Sequence, residues 1–168
     1  MSDGTVSQRV LWVDDELDFS TRNLSKMLKE KQNISIDYAQ TISGALDKLR
    51  STLYNLVITD LYLPNHKIGS FTVRHGGLVL LNEMRSGKLG PFAMQYRLVP
   101  VIFLTQAPFE ILEEVHRQGT TNVWVFGKFN LLERDSEYSD EWAFGRLVGN
   151  ALRISEEIRN QRVFRLGF

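Results

Sequence analysis

Five side chains stand out, because each is a polar group placed where an apolar run ends. Asp14 and Asp15 follow Arg9-Val10-Leu11-Trp12-Val13, and Asp60 follows Asn55-Leu56-Val57-Ile58-Thr59. Thr105 closes Pro100-Val101-Ile102-Phe103-Leu104, and Lys128 stands just past Asn122-Val123-Trp124-Val125-Phe126. Carboxylates gathered in one pocket repel by roughly 4 kcal/mol a pair at about 4 Å and an effective dielectric near 20. A hard divalent cation relieves that repulsion, and Mg2+ takes a few carboxylates together with waters and phosphate oxygens. A hydroxyl and an ammonium beside such a site can donate hydrogen bonds to an anion bound there. Taken singly, each residue has a plainer reading. Asp14 or Asp15 would cap the helix that follows, Asp60 would cap the turn before Pro64, and a lone Thr or Lys carries no signal.

The runs before these residues must be strands for the groups to converge. Short stretches rich in Val and Ile read as strands buried on both faces of a parallel sheet. Arg9–Val13, Leu56–Asp60, Pro100–Thr105 and Asn122–Phe126 fit that description, and Ile34–Ala39 alternates as an edge strand does. Between them, Leu17–Lys31 carries Leu24, Met27 and Leu28 at helical spacing, and Thr41–Thr52 carries Ala45, Leu46 and Leu49. Gly76-Gly77 opens a helix to about Arg85 with Leu78, Leu80, Leu81 and Met84 on its apolar face. Phe109–Gln118 is expected to be helical with Ile111, Leu112 and Val115 inward, His116 lying on its polar face. A final helix, roughly Asp140–Gln161, has the seam Trp142, Phe144, Leu147, Val148, Ala151, Leu152 and Ile158. Five strands alternating with five helices imply βαβ units, a parallel sheet and right-handed crossovers. All the carboxyl ends then share one edge, where ligands bind in open α/β sheets.

The bulk numbers fit one globular domain, 1–168, with hydrophobic residues at 43% and charged ones at 24%. Twenty basic and twenty acidic residues cancel, so no global charge draws the chain to nucleic acid or membrane. Cysteine is absent, which excludes thiol chemistry and suits a cytoplasmic protein. Neither a secretion signal nor a run long enough to span a bilayer is legible.

With Val-Leu-Trp-Val-Asp14-Asp15-Glu16, Thr59-Asp60-Leu-Tyr-Leu-Pro64, Val-Ile-Phe-Leu-Thr105 and Gly-Lys128-Phe in that order, the chain resembles the receiver domain of bacterial response regulators. The resemblance covers residues 8–130 and the final helix. It implies a flavodoxin-like sheet of order 2-1-3-4-5 with helices on both faces, phosphorylation on Asp60 and a two-component or phosphorelay role. It also implies Mg2+ held by Asp14, Asp15, Asp60 and the backbone carbonyl of Tyr62. Thr105 would bond a phosphoryl oxygen, and Lys128 would pair with that group or with Asp60. A histidine kinase or phosphotransfer protein would be the donor and a downstream protein the target, without turnover as an enzyme.

The chain departs from the family in several places. Phe129 replaces the proline that usually follows the lysine, which predicts a trans bond and a displaced ammonium. Gln106 follows Thr105 where a small residue is usual, and Val125 occupies the place of a switching aromatic, flanked by Trp124 and Phe126. The connection 65–76 is long, with His66, Lys67, Arg74 and His75 but no acid, and Ile68–Val73 is compatible with a small hairpin. Ser86–Leu98 is a second long connection, broken by Gly87, Gly90 and Pro91. The segment 139–168 ends in Val163, Phe164, Leu166 and Phe168, apolar residues that need a surface, either this domain's flank or a second copy packed on the last helix. Arg153, Arg159, Arg162 and Arg165 make that end basic, but no nucleic-acid-reading motif accompanies them. Two alternatives stay open: an interaction module of receiver shape that is never phosphorylated, and a Mg2+-dependent phosphohydrolase with Asp14 as nucleophile.

Overall fold

The computed structural model describes residues 8–16, 19–32, 34–63, 67–68, 71–72, 75–106, 112–113, 115, 117, 121–128 and 140–165. Along the chain come β1 (Gln8–Val13), α1 (Phe19–Gln32), β2 (Ile34–Ala39), α2 (Ile42–Ser51) and β3 (Leu56–Thr59). A two-stranded hairpin, β4 (Lys67–Ile68) and β5 (Phe71–Thr72), precedes α3 (Gly76–Arg85). Then follow a single 3-10 turn (Gly90–Phe92), α4 (Ala93–Tyr96), β6 (Val101–Thr105), β7 (Val123–Gly127) and α5 (Asp140–Arg165).

The sheet runs β2-β1-β3-β6-β7 and every pairing in it is parallel. Counting only its own strands, this is the order 2-1-3-4-5. Strand composition explains the placement. β1, β3 and β6 are almost unbroken apolar runs and take the interior, whereas β2 alternates buried with half-buried residues and takes an edge. Side-chain alternation divides the interior into two layers. Leu11, Val13, Val57, Val101 and Phe103 meet Ala45 and Leu49 of α2 and Leu80, Leu81 and Met84 of α3. Val10, Trp12, Leu56, Ile58, Ile102 and Leu104 meet Leu24 and Leu28 of α1 and Phe144, Val148, Ala151 and Leu152 of α5. Thr41 caps α2, its hydroxyl oxygen accepting the Gly44 N–H at 3.1 Å.

The connection 86–98 is more ordered than its glycines imply. Gly87 and Gly90 supply the positive φ values of 75° and 61° that let it fold back, and Leu89 and Tyr96 are buried. Tyr96 donates its phenolic hydrogen to the Thr52 carbonyl and accepts the Tyr54 N–H at 3.2 Å, while Tyr54 donates to Asp37 Oδ2 at 2.7 Å. Arg85 donates to the Tyr96 carbonyl at 2.6 Å and to the Thr121 carbonyl at 3.3 Å, and burial lowers its guanidinium to about 10. A polar seam thus binds the sheet's amino-terminal edge, opposite the edge of the acids. Burial pushes both phenols above their ordinary value of 10.0, with Asp37 adding to the effect on Tyr54. The Tyr96→Phe variant leaves a carbonyl and an N–H without their partner, and should lose about 1–3 kcal/mol in urea unfolding. A raised folded-state value means the phenols' contribution is complete below pH 10 and disappears as pH rises through the folded value. Urea midpoints of Tyr96→Phe should therefore fall less steeply than those of the wild type above pH 10.

Two expectations need correction. Residues 112, 113, 115 and 117 are helical, but only Val115 faces inward, because Leu112 is 37% exposed. Three residues along a helix turn about 300°, so Leu112 sits some 60° round the axis from Val115, at the margin of the buried stripe. Ile111 and His116 lie outside the described residues. α5 continues to Arg165, beyond the expected Gln161. Along α5, the last residue described as buried is Ser155. The tail beyond Arg165 lies outside the described residues, as do Leu17 and the side chain of Trp142. No helix among the described residues is long and apolar enough to cross a membrane.

Candidate functional site

The strand ladders continue one residue beyond the assigned ends, and this sets the acids level with one another. Asp14 N–H donates to the Ala39 carbonyl at 3.0 Å, and Asp60 N–H donates to the Val13 carbonyl at 2.9 Å. Asp14, Asp15 and Asp60 each bring a carboxylate oxygen within 4.8 Å of the others. Lys128, one residue past β7, reaches into this group. Its Nζ lies 2.7 Å from Asp60 Oδ2 and 3.0 Å from Asp14 Oδ2. The free oxygens are held from their own loops: Asp14 Oδ1 accepts the Glu16 N–H at 3.1 Å, and Asp60 Oδ1 accepts the Tyr62 N–H at 3.3 Å. Thr105 is fully buried at the end of β6, in register with Gly127, the residue before Lys128. Gln106, next along, is exposed.

Lys128 reaches both Asp60 and Asp14 with phenylalanine as the next residue. Four methylenes give its side chain reach, and two carboxylates draw the ammonium in; Phe129 itself lies outside the described residues, as do Pro64, His66 and Arg74. The ammonium's contact with Asp14 was not foreseen, since the resemblance pointed to Asp60 or the phosphoryl group alone. Burial pushes the Asp14 carboxyl above its ordinary value, Lys128 opposes that, and the neighbouring charge of Asp60 adds to it. Burial works against the Lys128 ammonium, but the hydrogen bond and charge of Asp60, followed by those of Asp14, outweigh it and raise its affinity for the proton.

The donor set fits Mg2+. Octahedral ligands at 2.0–2.1 Å stand about 3 Å apart when adjacent and about 4.2 Å apart when opposite. The three carboxylate oxygens, within 4.8 Å, are close to that spread. With all three ionised and one ammonium beside them, two negative charges remain (three minus one), matching a divalent ion.

Around the acids, the neighbours are only partly the expected ones. Strand alternation sends Trp124 and Phe126 to the α5 layer, where Phe126 meets Phe144 edge-on at 5.3 Å and Phe144 meets Trp12 at 6.0 Å. Val125 packs in the opposite layer. The Tyr62 ring rests against His75, the residue before α3, with centroids 5.5 Å apart. Two contributors escaped the sequence reading. The buried Thr59 donates its hydroxyl to the Asp60 carbonyl at 3.0 Å, and Gly77 N–H donates to the Leu61 carbonyl at 3.0 Å. The Gly76-Gly77 pair was the available signal for the second.

No family model matches the chain. It is 36% identical over 81 residues to the uncharacterized protein y4jS of Sinorhizobium fredii, a match covering 47% of this chain and 19% of that protein. The chain thus spans about a fifth of that relative. Among solved structures it is similar to the signal receiver domain of an HD domain-containing protein from Pseudomonas fluorescens Pf-5, with a TM-score of 0.64 and 19% identity over 92% of this chain and 93% of that one. The chemotaxis response regulator CheY4 of Vibrio cholerae superposes with a TM-score of 0.56 and 17% identity, covering 88% and 98% of the two chains. The response regulator TrrA of Thermotoga maritima, solved in complex with Mg(2+)-BeF, has a TM-score of 0.52 and 26% identity over 75% of this chain and 91% of its own. With that strand order and these neighbours along most of its length, the chain has the fold of the response regulator receiver domains.

Proposed function

We propose that this protein is a phosphoacceptor switch of the two-component or phosphorelay kind, charged on Asp60 by a phosphohistidine on a histidine kinase or phosphotransfer protein. One observation carries the reading: acids from two strand ends and the lysine from a third meet within hydrogen-bond distance. An oxygen of Asp60 attacks phosphorus, the bond to the donor imidazole breaks, and an acyl phosphate is left on the carboxylate. Asp14, Asp15, Asp60 and the Tyr62 carbonyl would hold Mg2+, which when bound supplies positive charge to the phosphoryl oxygens. Lys128 already touches the reacting carboxylate and follows the charge onto the phosphoryl group, while Thr105 offers its hydroxyl from the neighbouring strand. The modification adds roughly two negative charges and three acceptor oxygens, enough to bias a loop or face that a protein partner reads. Asp14 is the less accessible nucleophile, since it is 1% exposed against 9% for Asp60, while both are engaged through both oxygens. This argues against phosphohydrolase chemistry.

Incubation with Mg2+ and a small phosphodonor should label the wild type at Asp60. Chelation of the metal should stop labelling, and Asp60→Asn should abolish it. A wild type that stays unlabelled overturns the reading. An Asp60→Asn variant that keeps partner binding and output would select the unphosphorylated module instead.

A further inference from the structure

We infer that Thr59 and Gly77 form a clamp on the Asp60 carbonyl that positions the acidic site, an inference that rests on the phosphoacceptor reading above. The Asp60 peptide is the pivot of the site, because its residue carries the reacting carboxylate and the Tyr62 backbone follows two residues on. Its N–H is tied to β1 through the Val13 carbonyl at 2.9 Å. Its carbonyl receives the Thr59 hydroxyl at 3.0 Å, within a fully buried environment. On its other flank stands the first turn of α3. A Cβ on Gly77 would lie 2.2 Å from the Asp60 carbonyl oxygen, 2.9 Å from the Phe103 ring and 3.1 Å from Leu61 Cα. Two of those three neighbours are backbone, so no side-chain rotation makes room.

Something rigid must therefore move when that position carries a side chain. Helix α3 resists, since Leu80, Leu81 and Met84 are fully buried in the layer beneath it and Gly77 N–H holds the Leu61 carbonyl. The loop end of β3 is the weaker side: beyond Thr59 the Asp60 N–H makes one ladder bond, to the Val13 carbonyl, and the chain then leaves the sheet. The Asp60 peptide yields, and the carboxylate is carried away from Asp14, Asp15 and Lys128. Gly77 touches no reacting atom; it sets where they stand. Displacing a supporting contact of this kind weakens metal binding by about 10–100-fold.

Calorimetric Mg2+ titration, labelling rate with a small phosphodonor, and urea unfolding in chelator, run on the wild type, Gly77→Ala, Thr59→Val and Gly44→Ala, test the clamp. Gly44 lies in α2, where a Cβ meets only the Thr41 hydroxyl at 3.2 Å, so its variant should match the wild type in Mg2+ binding. A folded Gly77→Ala protein should bind Mg2+ about 10–100-fold more weakly and label correspondingly slowly. Thr59→Val, which adds no atom to the helix, should shift Mg2+ binding in the same direction by a smaller factor. If Gly77→Ala does not fold, Thr59→Val decides: weakened Mg2+ binding upholds the clamp and unchanged binding overturns it. A folded Gly77→Ala protein with the wild-type Mg2+ constant overturns it even if its urea midpoint drops, because a purely structural glycine predicts that outcome. A wild type that takes neither Mg2+ nor label overturns the phosphoacceptor reading and the clamp with it.

Discussion

Replacing Lys128 with methionine should yield a protein that unfolds far more easily in chelator than in Mg2+. The Lys128 side chain is 16% exposed, and its ammonium lies between Asp14, whose side chain is 1% exposed, and Asp60 at 12%. Removing one member of a buried ion pair leaves charge without compensation and costs about 3–5 kcal/mol. Methionine keeps the length and apolar stem of lysine, so the change isolates the charge. Mg2+ should restore most of the loss, because the cation takes over the neutralising role, and its affinity should rise now that no ammonium competes. Labelling should nevertheless slow, since the donor that follows the phosphoryl charge is gone. The pH dependence has two signs. The raised Lys128 value means its contribution is complete below the ordinary 10.5 and is lost as pH rises through the folded value, so the variant lacks that alkaline decline. Asp14 is also raised, and an acid of that kind contributes below its ordinary 3.8 and loses that contribution as pH climbs through the folded value. Without the ammonium its ionised form is harder to hold, so the metal-free variant should gain stability on moderate acidification. Equal urea midpoints for variant and wild type in chelator would show that the lysine compensates nothing.

Phe144→Ala should be as damaging, from the opposite layer. Phe144 is fully buried, lies 6.0 Å from Trp12 and 5.3 Å from Phe126, and thereby joins α5 to β1 and β7. Truncating such a ring removes about 3–5 kcal/mol, a large part of the roughly 5–15 kcal/mol that holds a domain together. Val148, Ala151 and Leu152 remain as anchors, so the first turns of α5 should loosen before the rest. Urea unfolding reads the loss, and red-shifted tryptophan emission reads water reaching the indoles. A loss under about 1 kcal/mol would mean that α5 is held mainly elsewhere.

The sheet order and the acidic site were legible for the same reason. Buried parallel strands are apolar runs, and residues that break such a run must sit at its end, so Asp14, Asp60 and Thr105 marked both the strands and their shared edge. Side-chain reach was not legible. Lys128 sits within Gly127-Lys128-Phe129, and its neighbours in sequence say nothing of two carboxylates 68 and 114 residues away. Tyr96 was hidden for another reason: glycines and Pro91 label the segment as a connection, and only packing against Thr52 and Tyr54 turns it into a structural post. The direction taken by β7's aromatics follows from strand alternation, and comparing Val125 with a family position obscured that simpler rule. Thr59 looked like one more β-branched strand residue, because a hydroxyl's partner is not written in its own sequence.

The ion pair joining Lys128 to Asp14 spans 114 residues and links the first strand of the sheet to its outermost last one. During synthesis, Asp14, Asp15 and Asp60 emerge from the ribosome long before the lysine that balances them. Any fragment ending short of Lys128 therefore presents an uncompensated trio of acids, and the balancing charge arrives only once β7 has been made.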